Sequence, residues 1–208
     1  MPLTSYQQNV FINCPFDEPF RTILEAIVFT VHDCGFVARS ALEADDSSQV
    51  RIEKIYGIIE ECGFGIHDIS RTELDTATAL PRFNMPLELG IFLGAKRFGG
   101  PKQKRKNCLI LDRERYRYQQ YCSDIAGQDI RAHRDDPEAA IRVVRDWLRN
   151  GTARSGVRMP GVSKIQERYR TFRADLPVMC DELGLDPDDL IFNDYTTAIA
   201  SWQQANAW

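Results

Sequence analysis

The stretch Asn9-Val-Phe-Ile-Asn-Cys-Pro-Phe16 decides how the chain is read. Val10, Phe11 and Ile12 form an unbroken apolar run, and Pro15, which cannot donate to a ladder, closes it. A short run of this kind with no polar alternation suits a central strand covered on both faces, leading directly into a loop. Immediately after it, Phe20, Ile23, Leu24, Ile27, Val28 and Val31 fall on one face of a helix, and Gly35 supplies the stop. A buried strand followed by an amphipathic helix is the opening of an α/β fold.

The same rhythm continues outward. "FVARSAL" (Phe36 to Leu42) reads as a second strand. Glu43, Asp45 and Asp46 lie in the polar loop after it, and a helix carrying Ile55, Ile58, Ile59 and Cys62 follows, ending before Gly63. "FGIHDIS" (Phe64 to Ser70) reads as a third strand, followed by a long polar loop and a helix from about Asn84; "NCLILD" (Asn107 to Asp112) is a fourth strand. After an irregular stretch from Arg113 to Arg134, Asp136 caps a helix with Pro137 in its first turn and Ile141, Val144 and Leu148 inward. Residues 1 to 150 are therefore expected to form a flavodoxin-like, mostly parallel sheet of about five strands with helices on both faces. The Gly-, Ser- and Pro-rich segment from Gly151 to Gly161 introduces a helical C-terminal extension, 151 to 208. One helix carries Ile165, Tyr169, Phe172 and Leu176, and another is expected to start at Asp186-Pro187. Trp202 and Trp208 flank a stretch that looks too short and polar to hide both rings, which suggests that the tail mediates assembly.

With 26 basic against 30 acidic residues, the 208-residue chain carries no electrostatic footprint for duplex nucleic acid. The basic run Lys102 to Lys106 reads as a solvated loop. The six cysteines are scattered without a C-x-x-C pair or histidines at ligand spacing, there is no leader pattern, and no segment approaches a membrane span. These features point to a reduced, cytoplasmic protein that holds no metal and binds neither nucleic acid nor membrane directly.

In an open parallel sheet, ligands sit beyond the carboxyl ends of the strands. Cys14, Pro15, Phe16 and Asp17 follow strand one; Asp68, Ser70 and Arg71 follow strand three; Arg82, Phe83 and Asn84 precede the next helix, on which Glu88 stands between Leu87 and Leu89. No G-x-G-x-x-G follows the first strand and no G-x-x-x-x-G-K-[ST] occurs, so neither a dinucleotide held for hydride transfer nor a P-loop nucleotide is indicated. Of three histidines only His67 lies near the proposed cleft, which makes a Ser-His-Asp arrangement weak.

On "VFINCPFD", "IHDIS" and "RFNMPLELG", the chain from about Asn9 to Asp112 resembles bacterial Toll/interleukin-receptor-like domains and the related nucleoside 2-deoxyribosyltransferases. The resemblance implies a nucleoside or NAD ligand, used as substrate with no cofactor, and gives the helix-borne Glu88 the cleavage of an N-glycosidic bond. It also implies a role in bacterial defence, with self-assembly or a protein partner as trigger. Asn84 stands where receptor-type domains have Ser or Cys, and the small Gly-Thr pair of the deoxyribosyltransferases is absent.

The chemistry agrees. Cleavage at ribose C1′ passes through an oxocarbenium-like state that a carboxylate can stabilise or attack. If Asn84 caps the helix, Glu88 stands at about its fourth position, where the helix terminus favours the ionised form. Nicotinamide leaves NAD neutral and needs no general acid, whereas a purine needs one, for which Asp68 is the candidate. Arg82 and Arg51 are candidates for phosphate, and Phe83 and Phe16 for sandwiching a base, core packing being the alternative for Phe16. NAD nucleosidase activity leads. A deoxyribosyltransferase or hydrolase, and a non-catalytic nucleotide- or partner-binding module, stand beside it.

Overall fold

The computed structural model describes residues 4–43, 46–74, 80–153 and 155–207. Asp45, Trp208 and part of the loop after the third strand lie outside them. The elements run α1 (Ser5–Gln8), β1 (Asn9–Asn13), α2 (Arg21–Asp33), β2 (Val37–Arg39), α3 (Arg51–Glu61), β3 (Phe64–Asp68), α4 (Asn84–Phe98), β4 (Asn107–Asp112), β5 (Arg131–Ala132), α5 (Pro137–Gly151), α6 (Val162–Leu183) and α7 (Phe192–Ala205). The five strands form one parallel sheet in the order β2-β1-β3-β4-β5.

Register sets which side chains go where. Val10, Ile12, Phe64, Ile66, Leu109 and Leu111 point to one face, into a core shared with α2, α5, α6 and α7. Phe11 points to the other face, toward Ile55, Ile58 and Ile59 of α3 and Phe92 of α4. Because both faces are covered, these strands show apolar runs instead of alternation. The chain moves from β1 to β2 on one side and then crosses β1 to reach β3 on the other, so the strand order reverses between β1 and β3. A crevice outside the carboxyl ends of these two strands follows from that reversal.

α6 and α7 are tied into the main core. Phe29 of α2 stacks on Phe172 at 5.2 Å between centroids and lies 5.9 Å from the Trp202 ring. Trp202 is only 4 % exposed, donates from Nε1 to Asp175 at 2.8 Å and lies under the Arg168 guanidinium. The expectation of an exposed Trp202 is therefore corrected: α2 supplies the aromatic surface that hides it. Arg168 in turn pairs at 2.9 Å with Asp33, which is buried.

Two local expectations also change. Asp186 closes a turn by accepting from the Asp188 amide, and the last helix starts later, at Phe192. The fifth strand has two residues, too few to show periodicity. Lys106 is buried instead of solvated: its ammonium donates to the Ile59 and Cys62 carbonyls at the end of α3 and lies 4.6 Å from the Phe92 ring centroid. A cation against helix C-terminal carbonyls is favourable, although burial lowers the Lys106 pKa to about 8. Among the described residues, no helix is long and apolar enough to cross a membrane.

Candidate functional site at the β1–β3 crevice

Asn13, the last residue of β1, fixes the entry of α4. Its amide donates to the Met85 carbonyl at 2.9 Å and lies 3.0 Å from His67 Nδ1. The imidazole therefore accepts at Nδ1 and carries its proton on Nε2, which is buried without a partner; burial lowers its pKa to about 3 and keeps it neutral. His67 packs edge-on against Phe11 and Phe92, so it serves as a core wall beneath the crevice.

α4 begins at Asn84 with Phe83 as its N-cap and no side-chain capping bond. The expectation that Asn84 caps the helix is corrected: Asn84 is exposed and is the first helical residue, which makes Glu88 the fifth. Pro86 sits in the first turn, where its missing N–H removes no helical bond. This start turns Leu87 outward, 58 % exposed, and Glu88 inward, 7 % exposed. The carboxylate lies close enough to Cys14, at the end of β1, to raise the thiol pKa, and close enough to Arg51, at the start of α3, to be pulled down by it. Burial outweighs that pull and the helix terminus, and lifts Glu88 to about 7. The expectation of a firmly ionised Glu88 is corrected accordingly: near neutrality it is half protonated. Among the described residues no hydrogen-bond or ion-pair partner holds its carboxyl group.

Cys14 is buried, its thiol pushed up by burial first and by neighbouring Asp68 next, while a backbone hydrogen bond from Asp68 opposes the rise. Asp68, also buried, accepts through Oδ1 from the Ser70 amide at 2.9 Å and from the Ser70 hydroxyl. Its Oδ2 lies 3.0 Å from Nε2 of His133. His133 accepts the Asp135 amide at Nδ1, so its proton is on Nε2, facing Asp68. The two atoms are close but not aligned as a hydrogen bond, and neither has another partner among the described residues. The loop after β3 is clamped from behind, where Arg117 donates to the Ile69 and Ser70 carbonyls and to Asp112.

At the rim, Asp17 accepts the Phe20 amide at 3.1 Å, with Arg71 Nε at 3.6 Å and Arg82 Nη1 at 4.0 Å from its carboxylate. Pro15 is buried, whereas Phe16 and Phe83 are exposed, Phe83 by 60 %. The exposure of Phe16 rules out the core-packing alternative for it.

The fold thus gathers Cys14, Asp68, Ser70 and Glu88, all buried, by the carboxyl ends of β1 and β3, with Asp17 and Arg82 paired nearby. Sequence reasoning missed His133 and Arg117, which follow strands four and five in a stretch without periodicity. Asn13 was also missed, although an amide ending an apolar strand was a visible signal. Among the described residues no group of His, Cys, Asp and Glu is arranged to hold a metal ion. A comparison with family models, curated proteins and solved structures returned no match.

Proposed function

We propose that the protein cleaves an N-glycosidic bond, that of NAD between ribose C1′ and nicotinamide, with Glu88 as the catalytic carboxylate. The observation that carries the reading is a buried glutamate, on a rigid helix at the strand-order reversal, whose carboxyl group has no partner among the described residues. Such a group loses part of its solvation without a protein partner in exchange, which a bound cation or developing positive charge would supply. The resemblance to Toll/interleukin-receptor-like domains, and with it activation by self-assembly or a partner in bacterial defence, supports the same reading.

In the proposed reaction the C1′–N bond breaks and nicotinamide departs neutral with the bonding pair. The Glu88 carboxylate stabilises the oxocarbenium-like centre or bonds to C1′, and water then delivers oxygen to C1′ and a proton to solvent. No acid is required for this leaving group. Asp68, occupied by Ser70 and facing His133, is suited to hold a sugar hydroxyl, and the exposed rings of Phe16 and Phe83 offer flat surface at the rim. A nucleoside deoxyribosyl transfer would use the same carboxylate.

The test is incubation of the full-length chain with NAD and, separately, with deoxynucleosides, at concentrations that allow assembly, followed by chromatography of the released base. Glu88→Gln keeps the size and removes the charge, so the rate should fall by about 100-fold or more. Release of nicotinamide by Glu88→Gln at the parent rate overturns the assignment. Release of base from deoxynucleosides alone replaces NAD with a nucleoside.

A further inference from the structure

A second site lies away from the crevice, at the β5 edge of the sheet. A cavity of about 560 Å³ is lined by Arg115, Arg131, Arg134 and Arg142, together with Tyr116 and Asp136 among others. None of Cys14, Asp68 and Glu88 lines it. The volume is within the range of small-molecule sites. Its two carboxylates are already engaged: Asp129 pairs with Arg131, and Asp136 caps α5 through the Glu138 amide. Among the described residues, Arg115, Arg134 and Arg142 form no salt bridge, so four guanidiniums against two carboxylates leave two positive charges in excess, in a chain whose net charge is −4.

The backbone that presents these groups is strained. Tyr116 has φ 67° and Arg134 φ 58°, the left-handed region, which is costly for bulky residues and persists only where surrounding structure enforces it. Both residues line the cavity. The enforcement at Arg134 is visible. The amide of His133 donates to Asp112, the amide of Arg134 to Arg113, and the amide of Asp136 to His133, while the His133 ring accepts the Asp135 amide. The turn that carries Arg134 is thereby locked to the end of β4. Such strain clusters at ligand clamps, and planar guanidinium forks match phosphate oxygens two at a time.

We propose that this cavity binds a small phosphorylated molecule through a phosphate group carrying about two negative charges, held by Arg115, Arg134 and Arg142. Inorganic pyrophosphate is the probe, titrated calorimetrically into the full-length chain at low salt, with succinate and a short oligothymidylate as the other arms. Pyrophosphate should bind one per chain. The double variant Arg134→Gln/Arg142→Gln should weaken it by about tenfold or more, while Arg97→Gln, an exposed arginine in the last turn of α4 that lines neither site, binds as the parent does. All three arginines are solvent-exposed, so an unchanged thermal melt is expected to show that the variants fold. Absence of binding, binding unchanged in the double variant, or equal loss in Arg97→Gln overturns the site. Succinate binding as tightly as pyrophosphate, or oligothymidylate binding more tightly, overturns the ligand class in favour of a dicarboxylate or a nucleic-acid backbone.

Discussion

Glu88→Gln should make the protein more stable at alkaline pH than the parent, and the gain should vanish in acid. The folded-state pKa of Glu88 is about 7 against an ordinary value of 4.5. A raised folded-state value means that the protonated form is favoured on folding. That contribution is fully present below pH 4.5 and is lost as pH rises through 7. At about 1.36 kcal/mol per pH unit the full difference amounts to about 3 kcal/mol. Water reaches part of the carboxyl group and screens it, so roughly half of that, about 1.5 kcal/mol, is the figure to expect. Glutamine does not titrate, and every other group is common to the two proteins, so their influence cancels when the two unfolding free energies are subtracted. Urea unfolding of both proteins at intervals from pH 4.5 to 8.5 gives that difference directly. It should rise in favour of Glu88→Gln across this window and level off above it. A flat difference would mean that the carboxyl is as well solvated folded as unfolded. A slope of opposite sign would mean that a partner holds the ionised form. Either result removes the physical basis for a Glu88 carboxyl that loses solvation on folding.

The same ionisation gives a kinetic expectation: NAD cleavage should rise with pH through about 7 and then plateau, read from initial rates of nicotinamide release. A rate independent of pH between 5 and 9 would separate Glu88 from the chemical step. Trp202→Ala should cost about 3 to 5 kcal/mol in unfolding free energy, because the ring is buried among Phe29 and Phe172 and its indole N–H is bonded to Asp175. A loss below 1 kcal/mol would show that the extension is not part of the main core.

The sheet was legible because its signal is local and repeated. Runs such as Val10 to Ile12 and Asn107 to Asp112, separated by helices with clear faces, leave few arrangements other than a parallel sheet. Which residues follow the ends of β1 and β3 was legible for the same reason, since strand ends follow from strands. What escaped the sequence depends on contacts between distant segments. Burial of Trp202 requires α2 and α6 to meet it, and a window around Trp202 contains neither. Lys106 reads as part of a basic run because the carbonyls that bind it belong to α3. His133 reaches Asp68 only once β5 has aligned beside β4, and a strand of two residues leaves no pattern. The start of α4 was legible, at Asn84, but its capping was not. The Glu88 pKa was misjudged because the helix terminus is visible in sequence while desolvation is not.

Comparison of Glu88 with the other buried charged groups shows how unusual it is. Arg168 has Asp33 and the Asn206 carbonyl. Asp112 has Arg117 and the Tyr121 hydroxyl, and Glu25 has Arg21 and Arg173. Lys106 has two carbonyls, and even Asp68, whose Oδ2 is unsatisfied, has Ser70 on the other oxygen. A chain that supplies partners this consistently has the means to supply one for Glu88, and among the described residues it supplies none. The neighbouring positions sharpen the contrast. Leu87 faces outward and Glu88 inward, the reverse of what stability alone would select. Exchanging the two side chains would bury the apolar one and solvate the charge. Places where local stability rules are broken are expected to be functional or strained sites, and at a functional one a ligand can supply the missing partner. Applied to Glu88, the rule asks for a cation, or a centre that becomes one, held against the end of β1, and the ribose C1′ of NAD during loss of nicotinamide is such a centre.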